Sequence, residues 1–230
     1  MFGAIITYIF ASRERIIASE AQFQEEKIKR LTSEKKAVEA NLKLLQAQIE
    51  PHFLFNTLSN ILSLLDTNPQ KGKSMLVDFI QYLRASLSKI RQEKATLGQE
   101  MDMIQAYLSI FKVRMGDRLN YNIDLPDHLH EISFPPMLIQ PLVENAVKHG
   151  LEPKIDGGEV LIRGFAKDGI LGLEVVDTGV GFNGARDSGM GLSNIRDRLF
   201  SLYGNDGRLR LEENLPRGLK ATIEVPYGKS

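Results

Sequence analysis

From Ser12 to Gln48 the chain has neither proline nor glycine, and charges of both signs run through it. Apolar residues stand at Ile28, Leu31, Val38, Leu42, Leu45 and Ile49, in steps of three and four that only Lys35 interrupts. That heptad seam is the pattern of a helix that supercoils around a partner. One helix cannot cover its own seam, so a homodimeric coiled coil over 12–48 is the economical reading. An amphipathic helix packed within one chain is the plainer alternative. Residues 1–11 are almost wholly apolar, and Arg13 and Arg15 follow. A bilayer span needs about 20 apolar residues, and a signal peptide carries its charge before the apolar run. Two readings survive. The segment is the cytoplasmic end of a longer transmembrane helix, with its arginines inside, or it is an apolar helix that packs on a partner chain.

Past Pro51 the seam would fall on His52, Asn56, Ser59 and Ser63, a polar row, while the apolar stripe moves to Leu54, Leu58, Ile61 and Leu65. Proline lacks the N–H donor and kinks a helix, which gives the register change a cause. His52 is therefore expected on a polar helix face with Asn56 one turn on. Asp66-Thr67-Asn68-Pro69 and Lys71-Gly72-Lys73 read as a turn. A second helix over about 74–91 then carries Met75, Phe79, Tyr82, Leu83 and Leu87 on one side. The two helices make a hairpin over 46–95, and two copies would make a four-helix bundle.

The remainder, 96–230, has a different texture. Thr96 and Gly98 mark a boundary before an amphipathic helix over 99–115. A strand is expected over Tyr121–Leu125. A helix is expected to open at Pro135-Pro136 and to close at Gly150. Val160–Phe165 and Ile170–Val176 read as strands about an Asp168-Gly169 hairpin. A helix over Leu192–Tyr203 follows, and then a strand pair, Leu209–Glu212 and Leu219–Val225, around the turn Pro216-Arg217-Gly218. This order predicts an α/β sandwich with helices on one face of a mixed sheet.

Composition narrows the function. Lys and Arg number 29 against 29 Asp and Glu, so no global field exists to hold nucleic acid. There is no cysteine, and none of the four histidines forms a His-x-x-x-His pair, which argues against a zinc hydrolase.

Three constellations remain. In Glu50-Pro51-His52-Phe53-Leu54-Phe55-Asn56, an exposed imidazole beside an amide can act as a nucleophile of fixed tautomer. The plain alternative is a helix-surface histidine. In the helix around Pro141–His149, Gln140, Pro141, Glu144, Asn145 and Lys148 share a polar face. A carboxylate, an amide and an ammonium there suit Mg²⁺ with phosphate, although a solvated face has the same composition. His149 reads as a capping or packing residue. In Asp177-Thr178-Gly179-Val180-Gly181 and Gly189-Met190-Gly191-Leu192-Ser193-Asn194, a carboxylate at a strand end precedes two glycine clusters. The carboxylate can accept from an adenine amine, and the helix that follows offers N–H groups to phosphate. The order excludes a Rossmann site, which needs its glycines to open a helix directly and its acid downstream. Walker and protein-kinase motifs are absent.

Together and in this order, these motifs resemble the LytS-like sensor histidine kinases over roughly 40–228. The phosphoacceptor box is Glu50–Asn56, the N box runs from Pro135-Pro136 to Gly150, and the glycine boxes are the two clusters above. The resemblance implies a dimerisation and phosphotransfer domain joined to an ATP-binding domain of the gyrase and MutL type. It implies that His52 takes the γ-phosphate of ATP, that Asn145 holds Mg²⁺, that Lys148 lies near the phosphates, and that Asp177 reads the adenine amine. Gly179, Gly181, Gly189 and Gly191 would hinge a lid, with His149 and Leu192 bordering the nucleotide. The phosphate would pass to a response regulator, at the cytoplasmic side of a bacterial membrane. The sequence departs from the family at Phe53, where many relatives place an acidic base, which leaves Glu50 and Glu144 as candidates. Pro141 replaces a first asparagine, and the lid is short. The competing readings are an ATP-operated conformational switch that does not phosphorylate itself, and a non-enzymatic dimeric scaffold. The switch would not need His52 and its helix hairpin, and intact Asn145, Asp177 and both glycine boxes speak against the scaffold.

Overall fold

The computed structural model describes residues 26–27, 51–89, 95–181 and 190–227. The apolar segment 1–11, the heptad seam, Glu50 and Gly189 lie outside the described residues. The chain divides into two units, Met1–Phe53 and Leu54–Ser230.

Helices α1 (Pro51–Thr67) and α2 (Pro69–Lys89) are separated by Asn68 alone. The expected turn over 66–73 is therefore shorter than its composition suggested. Asp66 and Thr67 end α1, while Lys71, Gly72 and Lys73 are helical. Asn68 does the work of the longer turn. Its side-chain oxygen accepts from Lys71 N at 3.2 Å, as an N-cap does, and Pro69 follows where a missing N–H costs nothing. A Cβ on Gly72 would lie 2.9 Å from Leu65 N. In one continuous helix residues 65 and 72 would be about 10 Å apart, so the chain doubles back at Asn68.

The polar row behaves as expected, with His52, Ser59 and Ser63 exposed. The apolar stripe does not. Ile61 is buried, but Leu58 and Leu65 are 44% and 39% exposed, and Phe55 and Leu62 are 71% and 65% exposed. On α2, Gly72, Met75, Phe79, Tyr82 and Ser86 form the buried stripe. It faces α3 (Leu97–Met115), where Tyr82 packs on Tyr107 with ring centroids 5.9 Å apart.

Thr96 caps α3 in a full capping box: its side chain accepts from Gln99 N, and the Gln99 side chain accepts from Thr96 N. Gly98 lies inside the first turn rather than at a boundary. Twelve residues of α3 are buried, more than one face can supply, because α2 packs on one side and strand β2 (Leu119–Asp124) on another. Two short strands missed by periodicity, β1 (Ala95–Thr96) and β3 (Ser133–Phe134), pair antiparallel beside the start of α3.

The main sheet comprises β2 (Leu119–Asp124), β4 (Gly158–Lys167), β5 (Ile170–Asp177), β6 (Arg208–Glu213) and β7 (Leu219–Pro226), in the order β2-β4-β5-β7-β6. Only β2 and β4 are parallel, so the sheet is mixed, as the element order predicted. Val160, Ile162, Leu173, Val175, Ala221 and Ile223 are buried on one face, the valine, leucine and isoleucine side chains each worth up to about 3 kcal/mol. The alternate positions carry ion pairs, Lys220–Glu174 at 2.7 Å and Arg210–Glu224 at 2.9 Å. Alternation of this kind marks a sheet with one face covered and one face wet. Asp168 and Gly169, both at positive φ, make the β4–β5 turn, as Asp-Gly predicts.

The largest correction concerns the helix expected from Pro135 to Gly150. It begins at Gln140 as α4 (Gln140–Asn145) and continues as a π-helical turn, Ala146–Leu151. Met137 has φ 62°, and its N–H is held by both oxygens of the buried Glu100 carboxylate at 3.2 Å. That left-handed residue breaks any helix begun at the prolines. Gly150 is inside the π turn and is not a C-cap.

Candidate functional site

The site is built where β5 ends. Asp177 is the last residue of that strand and is 4% exposed. Its Oδ1 accepts from Gly179 N at 2.8 Å, which closes an Asx-turn and begins the glycine cluster. Burial pushes the carboxyl pKa above its ordinary value of 3.8, against the pull of backbone N–H groups of Gly179 and Leu219 and of the Lys154 charge.

Two glycines let the backbone pack closely at this carboxylate. A Cβ at Gly150 would stand 3.0 Å from Asp177 Oδ1, and one at Gly179 would overlap the Gly150 carbonyl. Val180 N donates to Gly150 O at 3.0 Å, so the π turn and the glycine cluster are stitched backbone to backbone. The π turn has a clear consequence here. The widened helix carries Glu152 N back to Val147 O at 2.9 Å and brings the Gly150 backbone onto the strand end. Such bulges occur often at functional sites.

Three groups that the sequence reading did not assign complete this end of the sheet. Lys154 Nζ donates to Thr178 O at 2.6 Å, and Asn214 Nδ2 donates to Asp177 O at 2.8 Å. Gly218 has φ 139°, and a Cβ there would overlap Asp177 O. Pro216-Arg217-Gly218 was legible only as a turn, and Glu152-Pro153-Lys154 carried no signal at all. A recess of about 170 Å³ lies beside this turn, lined by Val180, Gly181 and Leu215 among others.

Across from Asp177, α5 (Met190–Tyr203) begins one residue before Gly191. A Cβ on Gly191 would lie 3.9 Å from Asn145 Nδ2, so the N-box amide and the second glycine cluster meet. Leu192 is 6% exposed. Glu144 and Lys148 face each other at 3.9 Å, and Glu144 also accepts from Gln140 Nε2 at 2.7 Å. Gln140, expected on the polar face of this helix, is buried. His149 is exposed, so it is not a packing residue. Gly181 lies beside Gly218, 3.4 Å from an added Cβ to the Gly218 nitrogen.

His52 and Asn56 lie one turn apart on α1. Glu50 and Gly189 lie outside the described residues. Among the described residues no group of three His, Asp or Glu side chains is placed to hold a metal ion. The Asn145 side chain borders the second glycine cluster at Gly191, and an amide oxygen there fits an ion that takes its other ligands from phosphate and water.

Known proteins give the geometry a context. A histidine kinase family model matches residues 40–119. Sensor protein LytS of Oceanobacillus iheyensis is 35% identical over 217 residues, covering 88% of this chain and 36% of the relative. Sensor histidine kinase YesM of Bacillus subtilis is 33% identical over 193 residues, covering 82% of this chain and 33% of that protein. The chain thus spans about a third of the length of the curated relatives it matches. The histidine kinase domain of the blue-light activated kinase EL346 from Erythrobacter litoralis superposes with a TM-score of 0.50 at 15% identity, over 84% of this chain and 94% of that one. That likeness speaks for the fold. With the sequence relatives and the ordered motifs, it leads to one assignment: the chain belongs to the LytS-like sensor histidine kinases.

Proposed function

We propose that this chain is the cytoplasmic kinase region of a sensor histidine kinase. It binds Mg-ATP at the end of β5, phosphorylates His52 and passes the phosphate to an aspartate of a response regulator. The observation that carries the reading is the Asp177 cradle. A buried carboxylate at a strand end, with Gly150 placing no Cβ against its Oδ1 and Gly179 packed backbone to backbone on Gly150, suits the exocyclic amine of adenine. Asn145 would hold Mg²⁺, with Lys148 near the phosphates. Bound there, the ion would neutralise charge on the phosphates. The start of α5 at Met190 is a helix N-terminus, the end that favours negative charge such as that of the phosphates.

His52 supplies the nucleophile. A ring nitrogen forms a bond to the γ-phosphorus as the bond to the bridging oxygen breaks, and ADP leaves with that electron pair. Phosphoryl transfer of this kind rests on positioning and on charge stabilisation. Asn56, one turn from His52, is the candidate orienter of the ring. Glu144 and Glu50 remain the candidate bases.

We also assign the domains as 1–11 membrane-proximal, 12–48 coiled coil, 46–95 dimerisation and phosphotransfer, and 96–230 ATP-binding of the Bergerat type. The homodimer is supported by α1 itself. Phe55, Leu58, Leu62 and Leu65 are exposed at steps of three, four and three, the spacing of a bundle seam. Membrane attachment belongs to the same proposal. No helix among the described residues is long and apolar enough to cross a membrane.

Transfer of label from γ-labelled ATP with Mg²⁺ tests the reading, with the parent compared against His52→Gln and Asn145→Ala. An acid-labile, alkali-stable label lost in both variants is the expected result. Binding of ATP through Asp177 without any label would support the second reading, an ATP-operated switch.

A further inference from the structure

The polar face of α4 is only half-buried at Glu144 and Lys148, yet its first residue is enclosed. Gln140 is 4% exposed, and its Nε2 donates to the Tyr82 hydroxyl of α2 at 3.2 Å and to Glu144 Oε1 at 2.7 Å. The orientation of the amide is forced, because an ionised carboxylate can only accept. Glu144 in turn faces Lys148 at 3.9 Å. Tyr82, Gln140, Glu144 and Lys148 therefore make one polar line from the second helix of the hairpin to the nucleotide site.

Stability does not explain Gln140. Its Oε1 is buried with no hydrogen-bond partner among the described residues, and an unpaired buried acceptor is costly where an apolar side chain of the same shape would not be. The same end of α2 also reaches the far end of the segment. Tyr82 packs on Tyr107 and Tyr107 on Phe111, with centroids 4.7 Å apart. Arg114 lies 4.2 Å above Phe111 and pairs with Glu152, just beyond the π turn. Gln140 and Glu152 bracket the N-box segment, and both are tied to the row on which Tyr82 stands.

We propose that Tyr82 and Gln140 are positioning residues that couple the placement of α2 to the nucleotide-site helix. While Tyr82 is docked, Gln140 holds Glu144, and through it Lys148, in register with Asn145. The catalytic consequence rests on the kinase reading above, but the coupling itself does not.

The test uses the full chain with Tyr82→Phe, which keeps the ring and removes the hydroxyl, with Gln140→Met, and with both together. Three quantities are followed: hydrogen exchange over residues 140–151, affinity for a fluorescent ATP analogue, and the rate of label incorporation at saturating Mg-ATP. Tyr82→Phe is expected to raise exchange over 140–151 by about five-fold, the worth of one net hydrogen bond. It should slow labelling by a similar factor while analogue affinity stays within about two-fold. The double variant should be no worse than Gln140→Met, because the two residues act through one contact. Unchanged exchange in both single variants would overturn the proposal. So would losses that multiply in the double variant, or a slower rate matched by equal falls in melting temperature and nucleotide affinity. A parent that takes no label but shows the exchange response would remove the kinase reading and uphold the coupling.

Discussion

Around Asp177, glycines and an asparagine from three separate segments close on one carboxylate and its carbonyl. Along α1, four large apolar side chains face away from their own chain. The first region is held by backbone contacts that leave no room for a Cβ at 179 or 218. The second exposes Phe55 and Leu62 by more than 60%, a surface that a stable monomer rarely leaves contiguous. The difference teaches that the two halves of the proposed reaction have different needs. On the function proposed above, the nucleotide half is built within one chain and the phosphoacceptor half takes a second copy.

The comparison breaks most visibly at Gly218. Alanine there would sit at φ 139° with its Cβ on the Asp177 carbonyl. We expect Gly218→Ala to cost about 3 kcal/mol in urea unfolding and to abolish binding of an ATP analogue. Retention of parental stability would mean that the β6–β7 turn is not a wall of the site.

Asp177→Asn is expected to weaken ATP by roughly 10- to 100-fold, the worth of a hydrogen bond to a charged acceptor, with the fold intact by circular dichroism. The pH dependence sharpens this. Burial raises the Asp177 pKa above 3.8, and the ionised form is the stronger acceptor for the adenine amine. Affinity should therefore fall as pH drops through that raised pKa, and titration calorimetry on the asparagine variant should lose that limb. In the nucleotide-free chain the sign is opposite. The protonated form is favoured in the fold, so this contribution to stability is largest below pH 3.8 and is lost as pH rises through the raised pKa.

The smallest effect is expected at Lys154, whose charge lowers the Asp177 pKa. Lys154→Met should move the acid limb to higher pH while changing affinity at pH 7 by less than about two-fold, since a partly exposed charge is well screened.

The sequence was most legible where local chemistry decides. Asp168-Gly169 specified its hairpin, Thr96 marked the boundary before a helix, and the strand patterns located β4, β5, β6 and β7 to within two residues. The site motifs were legible because a carboxylate at a strand end followed by glycines is rare chemistry. What was lost depended on contacts distant in sequence. The left-handed Met137 is held by Glu100, thirty-seven residues away, so the start of α4 could not be read from Pro135-Pro136. The π turn answers to the packing of Gly150 on the 177–180 loop. Gln140 is polar by helical wheel yet buried, because α2 covers it. Lys154 and Asn214 act through backbone carbonyls, which leave no signature in a sequence.

The central claim is that one chain completes the nucleotide site while α1 needs a partner. Sedimentation and ATP-analogue titration of Leu58→Glu with Leu62→Glu test it directly, since both changes fall on the exposed stripe and away from Asp177. The account predicts that the parent sediments as a dimer and the variant as a monomer, with analogue affinity within about two-fold of the parent because no nucleotide contact has been altered. A variant that stays dimeric, or a monomer that no longer binds nucleotide, would contradict it.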